Sequence, residues 1–226
     1  MLFNSYIFIF GFLPAVLLGF YALNWYGAQK TSKLFLVLAS LIFYGWYTHW
    51  FVVVLIATLI LTYSCVMVLM GTPKGTATHT AAFLVGIIGS LGNLAFWKYT
   101  NFGVEIVNEI SGWHWSLFHI VLPLGISFYT FQQLTFIIDA YAGRVRHKVT
   151  GIDLALYVTF FPHLIVGPIV RYDELIPQIV AKKFGRFRLQ NILIGLAIFS
   201  VGIAKKVIIA DNLAVMVDPT FDHVAA

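Results

Sequence analysis

Apolar stretches long enough to cross a membrane alternate with short polar runs along this chain. A spanning helix needs about 20 mostly apolar residues. Residues 6–25 supply the first. Lys30 and Lys33 mark a short polar connection, and residues 34–70 then carry no Lys, Arg, Asp or Glu. That length exceeds one ordinary span and fits a tight hairpin of two, turning near Tyr47, Thr48, His49 and Trp50, where aromatic side chains favour an interface. A polar loop at 71–78 carries Lys74, a fourth span covers 79–97, and Lys98 closes it. Residues 101–116, with Glu105, Glu109, Trp113 and Trp115, read as an interfacial helix. A fifth stretch at 117–138 is interrupted by Pro123 and Gly125, and the polar run 139–150 follows it with Arg144, Arg146 and Lys148. A sixth stretch covers 154–170, a charged loop 171–188, and a seventh stretch 189–204 ends on Lys205 and Lys206. The pattern predicts an all-α fold, a polytopic membrane helical bundle, with residues 1–226 forming a single transmembrane domain.

Charge placement sets an orientation. Basic residues favour the cytoplasmic side. With the N-terminus outside, the basic loops 27–33, 71–78 and 140–152 all fall inside, and the acidic segment 101–116 falls outside. A full crossing by 154–170 would export the loop that carries Lys182, Lys183, Arg186 and Arg188. The same stretch contains FFPHLIVGPIVRY, in which Pro162 and Gly167-Pro168 each interrupt a helix. Broken backbone is tolerated at bilayer depth only inside protein or beside a wet cavity. We therefore read 154–170 as a re-entrant or bent element that returns to the cytoplasmic face. The plainer reading is a proline-kinked span that breaks the charge rule.

Composition agrees with a membrane protein. Hydrophobic residues make up 60% of the chain and charged residues 10%, against about a quarter charged in soluble domains, and the mean hydropathy is +0.89. The net charge of +5 is spread over loops rather than gathered in a stripe, which argues against a nucleic-acid partner and for the lipid bilayer. Cys65 is the single cysteine, set in an apolar run, and reads as a packing residue with no metal-ligand spacing around it. The first stretch lacks a basic leader and is too long for a signal-peptide core, so it reads as an uncleaved span.

Ionisable groups at membrane depth need a reason, because each costs about 2.5–3.5 kcal/mol on insertion scales. His163, beside a helix break, can bond a loose carbonyl or face a polar cavity as a ligand or proton carrier. Arg171 can hold a phosphate or carboxylate, snorkel to the interface, or pair with Asp173 and Glu174. Gln132, Thr135 and Asp139 recur at helical spacing and share one face, either as helix–helix glue or as the lining of a tunnel. Lys205 and Lys206 are interfacial anchors or line a polar cavity beside Asp211. Zinc-protease, P-loop and serine-hydrolase motifs do not occur in the sequence.

Three long segments together resemble the membrane-bound O-acyltransferase family: LPLGISFYTFQQLTFIIDAYAG (122–143), FFPHLIVGPIVRYDEL (160–175) and GIAKKVIIADNLAVMVD (202–218). The FPHL form, with FWKYTNFGVEIVN (96–108), looks most like the branch acting in alginate O-acetylation. The resemblance implies a multi-helix enzyme of the bacterial inner membrane with a periplasmic N-terminus. It would move an acyl group, as acetyl, from a cytoplasmic donor to hydroxyls of an exported polysaccharide such as alginate, through a periplasmic acetylation partner protein. The donor, acetyl-CoA or another acyl carrier, is a substrate, and no tightly bound cofactor or metal is implied. Pro162, His163, Gly167, Pro168 and Arg171 match a segment near the reaction chamber, so they become chamber or donor-path residues, with Gln132, Asp139, Lys205 and Lys206 beside them. The family's catalytic histidine is expected beyond residue 226, which makes this chain the N-terminal portion of a longer protein and leaves the base unassigned; neither His163 nor His223 matches its motif position. A transporter or flippase subunit, or a noncatalytic fragment, would also use broken helices and inward polar groups.

Overall fold

The N-terminal span is wound unevenly, and Pro14 explains why. In the computed structural model, which describes residues 3–46, 48–118, 120–165, 167–181, 184–215 and 217, helix α1 (Ile7–Trp25) opens with a wide π-wound stretch, Ile7–Phe12. Leu13 donates its N–H five residues back, to Phe8. The extra residue in the turn makes room for the Pro14 ring, which would otherwise meet the preceding turn's carbonyls. Expectations that rest on Tyr47, Lys182, Lys183 and His223 lie outside the described residues.

The apolar run 34–70 is the hairpin its length demands: α2 (Gln29–Gly45) and α3 (Trp50–Gly71) turn at 46–49. Helix α4 (Ala77–Ser111) follows and packs on both α3 and α5 (Ile126–Tyr141). Small residues permit the approach. A Cβ at Gly86 would lie 3.1 Å from Ile137, and one at Gly89 would lie 2.7 Å from Leu61. Between α3 and α5 the Thr62 hydroxyl donates to Gln133 Oε1 at 2.6 Å, and Gln133 Nε2 donates to Thr58 at 3.2 Å. The described residues form an all-α bundle, and four helices are long and apolar enough to cross a membrane: α1, α3, α4 and α9 (Leu189–Val215).

The two ends of the bundle can be identified from contacts. The Tyr44 hydroxyl, at the end of α2, donates to the Leu124 carbonyl just before α5. The start of α2 and the end of α5 therefore share the opposite end. Lys74 joins them there by donating to the Ala142 carbonyl at 2.8 Å. This second end gathers Lys30, Lys33, Lys74, Arg144, Arg146 and Lys148, as the charge pattern predicts.

Three boundaries differ from the sequence reading. Lys98 does not close the fourth span. Helix α4 runs on to Ser111, so the expected interfacial helix is its continuation. At 1.5 Å per residue its 35 residues measure about 52 Å, against a bilayer core of about 30 Å. Trp97 meets Phe51 at the start of α3, so residues 98–111 project beyond the hairpin. Gly112, at φ 69°, ends the helix in the left-handed region. The chain then returns in extended form, and α5 starts only at Ile126 because Pro123 and Gly125 delay it. The strap is fastened by two side-chain amides. Asn108 donates to the Trp115 carbonyl and accepts from its N–H, each at 2.9 Å, and Asn101 does the same for Phe118 at 2.8 and 3.0 Å. Seven helical residues and three extended ones both advance about 10 Å, which is why the two clamps fall in register. Finally, the seventh stretch does not stop at Lys205. It continues through a second wide stretch, Lys205–Ala210, which aligns Lys206 with Asp211 five residues on, at 2.7 Å.

The clamps carry a prediction. The Trp115 and Phe118 amides should exchange slowly with solvent deuterium although their side chains are exposed. Asn108→Ala should abolish protection at Trp115 and leave Phe118 protected, as read by residue-resolved hydrogen exchange in micelles.

Candidate functional site

The sixth apolar stretch is broken and turns back. Helix α6 (Gly151–Thr159) is nine residues long, about 14 Å, roughly half a bilayer core. Thr150 caps it by accepting from the Asp153 N–H and donating to its carboxylate at 2.7 Å. Asp153, buried, also pairs with Lys33 at 2.8 Å, which anchors the start of α6 at the basic end. Phe160 breaks the helix at φ −53°, ψ 111°. One turn, α7 (Phe161–Leu164), follows, with Pro162 in its first turn, where no N–H is missed. At Gly125, φ +72°, a Cβ would lie 3.0 Å from the Leu164 carbonyl oxygen, so glycine lets the tip of the element rest on the turn before α5. Gly167 passes equally close to His163. Residues 168–170 then descend, held to α6 by the Tyr157 hydroxyl, which donates to the Val170 carbonyl at 2.8 Å.

Arg171 brings the chain back to the basic end. Its guanidinium donates to both carboxylate oxygens of Asp139, at 2.6 and 3.2 Å, in the last turns of α5. The ion pair differs from the one expected, since local sequence pointed to Asp173 and Glu174. Asp173 instead lies 3.5 Å from His147, and Arg144 stands 3.5 Å from the same Asp139 oxygen, Oδ1, that Arg171 holds at 2.6 Å. The Asp139 hydrogen bond and charge raise the Arg171 pKa still further, so its charge is permanent. Helix α8 (Tyr172–Val180) buries Tyr172, Ile176 and Ile179 and ends where Gln29 donates to the Ala181 carbonyl. Both ends of the element thus lie at the basic end of the bundle, which is the re-entrant path rather than a kinked crossing.

At the break, the two backbone groups of Tyr157 and Phe161 find new partners. A continuous helix would join the Phe161 N–H to the Tyr157 carbonyl. Here the Phe161 N–H donates to the Ser40 hydroxyl of α2 at 3.1 Å, and Ser40 donates onward to Leu36. The freed Tyr157 carbonyl accepts from Gln132 Nε2 and from His163 Nε2, both at 2.9 Å. Because a carbonyl only accepts, His163 carries its proton on Nε2. Gln132 Nε2, 3.4 Å from that nitrogen, then makes no bond to it. Of the two readings open for His163, the geometry matches the bond to a loose carbonyl.

The other sequence candidates divide. Gln132 and Asp139 are buried and both face the re-entrant element, through Tyr157 and Arg171; Thr135 bonds back to its own helix. Pro162 and Pro168 are exposed at the tip and on the descending strand. Lys205 and Lys206 lie apart on α9, whose side chains are largely exposed and which touches the bundle where Phe199 meets Phe8. Sequence reasoning missed Ser40 and Tyr157, neither of which carried a signal; Gly125 was read as an interruption of the fifth stretch, but not as the seat of the re-entrant tip.

Comparison with known proteins supplies the kinship. The chain is 36% identical to the peptidoglycan O-acetyltransferase of Helicobacter pylori over 98% of its own length and 47% of that protein's. It is 35% identical to the protein of Pseudomonas aeruginosa named "Probable alginate O-acetylase AlgI", and 36% identical to that of Pseudomonas syringae, in each case over 98% of this chain and 42% of the relative. The chain spans less than half the length of these curated relatives. No family model matches it, and no solved structure does.

The shared carbonyl predicts non-additive energetics. Gln132→Leu or His163→Leu alone leaves Tyr157 one donor and should cost about 1 kcal/mol of unfolding free energy. The double variant orphans a buried carbonyl and should cost more than the two together, with a coupling of about 1–2 kcal/mol. Thermal unfolding in detergent of the wild type, both single variants and the double variant measures the coupling; strict additivity would show that one donor does all the work.

Proposed function

We propose that this chain, a relative of the membrane-bound O-acyltransferases, forms the donor-side part of an enzyme that acetylates hydroxyls of an exported polysaccharide. The observation that carries the reading is the kinship over 98% of the chain with proteins named for O-acetyl transfer. The relatives' names differ in the polymer, so the class of acceptor proposed is a bacterial polysaccharide hydroxyl rather than one named glycan. The donor is acetyl-CoA or another acyl carrier thioester. In the transfer, the hydroxyl oxygen forms the new ester bond as the carbon–sulfur bond breaks, and the hydroxyl proton ends on the departing thiol. An alcohol needs a positioned base for this step.

This chain's contribution is structural and electrostatic. The re-entrant element walls one side of a reaction chamber, with Gln132, His163, Gly167, Pro162 and Pro168 at or near its tip. Arg171 lies at the basic end, half-exposed although Asp139 holds it. Its free edge, with Arg144 and Lys74 near it, suits the phosphates of a nucleotide-bearing donor. The same charge asymmetry supports a cytoplasmic basic end, a periplasmic N-terminus and residence in the inner membrane. The projecting arm of α4 then reaches toward the periplasm, where an acetylation partner protein would meet the enzyme.

Two experiments test this. In membranes carrying the protein at its relatives' full length, label from acetyl-CoA should appear on polysaccharide. Arg171→Ala should raise the donor KM about tenfold, the worth of one charge-assisted hydrogen bond, while Asp139→Asn breaks the same pair, keeps the cation and leaves KM near wild type. Equal effects of the two would make Arg171 a structural partner only, and unlabelled polymer would sink the transfer itself. For orientation, in a Cys65→Ser background, a cysteine at Lys74 should react with an impermeant maleimide only after the cells are opened, and one at Glu109 in intact cells.

A further inference from the structure

A cleft runs between α1 and the re-entrant element, on the far side of Phe160 and Phe161 from α5. Its inner part, about 560 Å³, is walled by Leu13, Leu17, Leu36, Leu156, Phe160 and Ile179, and ends at Pro162. Its outer part, about 810 Å³, lies at the basic end and adds Asn24, Gln29 and Trp25. The two share Tyr21, Phe184, Gly185 and Arg186, so they form one cleft with an apolar interior and a polar, cationic mouth.

The mouth is built, not incidental. Phe184 packs edge-on to Phe20 and Phe187 edge-on to Tyr21, each at 5.3 Å. Between them Gly185 stands at φ +74°, where any Cβ would collide with the Asn24 side chain. Asn24 is itself fixed, donating to the Phe20 carbonyl at 2.8 Å and accepting from Ser32 at 3.2 Å. This anchoring sets Arg186 over the opening. Among the described residues Arg186 has no acidic partner, so its charge is available at the level where phospholipid phosphates lie.

We propose that this cleft binds one anionic phospholipid of the surrounding leaflet, an acyl chain in the apolar part and the phosphate at Arg186. Leu13 to Tyr21 spans two helical turns, about 12 Å along α1, a depth that takes a long aliphatic chain. An acetyl group, two carbons long, has no use for such a wall. Leu18 of α1 lines the outer part and is 72% exposed, so that part of the cleft opens beside α1 toward the surrounding membrane. The proposal does not rest on the acyl-transfer reading.

Native mass spectrometry of the chain released from nanodiscs of phosphatidylcholine and phosphatidylglycerol tests it. The wild type should retain one phosphatidylglycerol in preference to phosphatidylcholine. Arg186→Gln should lower that retention about tenfold, as loss of a charge-assisted contact would, whereas Arg188→Gln, a neighbouring surface charge, should leave it unchanged. Leu17→Trp, which fills the groove, should abolish retention of either lipid while the thermal transition stays cooperative. Equal loss from Arg186→Gln and Arg188→Gln would reduce the effect to surface charge and overturn the site. So would retention unaffected by Leu17→Trp, or a bound lipid in this chain that vanishes when the protein is prepared at its relatives' full length, because other polypeptide then fills the cleft.

Discussion

A peptide carbonyl set free at bilayer depth must find a donor, and the Tyr157 carbonyl is the point on which this structure turns. Water is not there to serve it, and leaving it bare costs several kcal/mol. Its two donors come from different elements: Gln132 from the neighbouring helix and His163 from the other side of the break itself. The companion N–H, on Phe161, is taken by Ser40 of a third helix. A break that would be prohibitive in an isolated span is thus distributed over α2, α5 and α7. The same bonds fix where the re-entrant tip sits.

That placement explains the charge pattern at the basic end. A helix that turns back after about half a bilayer must return its next segment to the side it left. The return is locked by Arg171 on Asp139 and by Gln29 on the carbonyl after α8. The start is locked by Lys33 on Asp153. Three polar ties at one end hold an element whose tip is held by the bonds to Ser40, Gln132 and His163 and by the close approach at Gly125. The ties also keep the 184–188 loop, with its arginines, on the same face as Lys30 and Lys74. The distribution of charge and the broken helix are therefore two views of one topology.

Much of this was legible in the sequence, because length and charge are coarse signals that a membrane enforces. The charge-free run of residues 34–70 could only be a hairpin, and prolines and glycines in the sixth stretch could only mean interrupted backbone. What the sequence did not hold was pairing. Arg171 has Asp173 and Glu174 beside it in the chain, yet Asp139 is its partner, because the return of the strand brings the guanidinium to α5 before α8 begins. Lys98 looked like a terminus because a lysine ordinarily ends a span; the helix continues because the clamps at Asn101 and Asn108 give its far side something to hold. Ser40 was invisible, since a serine in an apolar helix looks the same whether it bonds its own turn or caps another helix.

The geometry also bears on what His163 can do. Its Nε2 proton is committed to the Tyr157 carbonyl, and that bond is part of what makes the break tolerable. Withdrawing the proton from Nε2 would place a lone pair against a carbonyl oxygen, a repulsive contact in a medium of low dielectric. Proton traffic at this ring is therefore confined to Nδ1. A base that cycles through Nδ1 while Nε2 stays protonated would pass through the charged imidazolium, and Asp139 is committed to Arg171 and Arg144 rather than placed to balance that charge. Histidine at this position is best understood as a backbone donor that a helix break requires, and the re-entrant tip it supports owes its shape to that service rather than to acid–base chemistry.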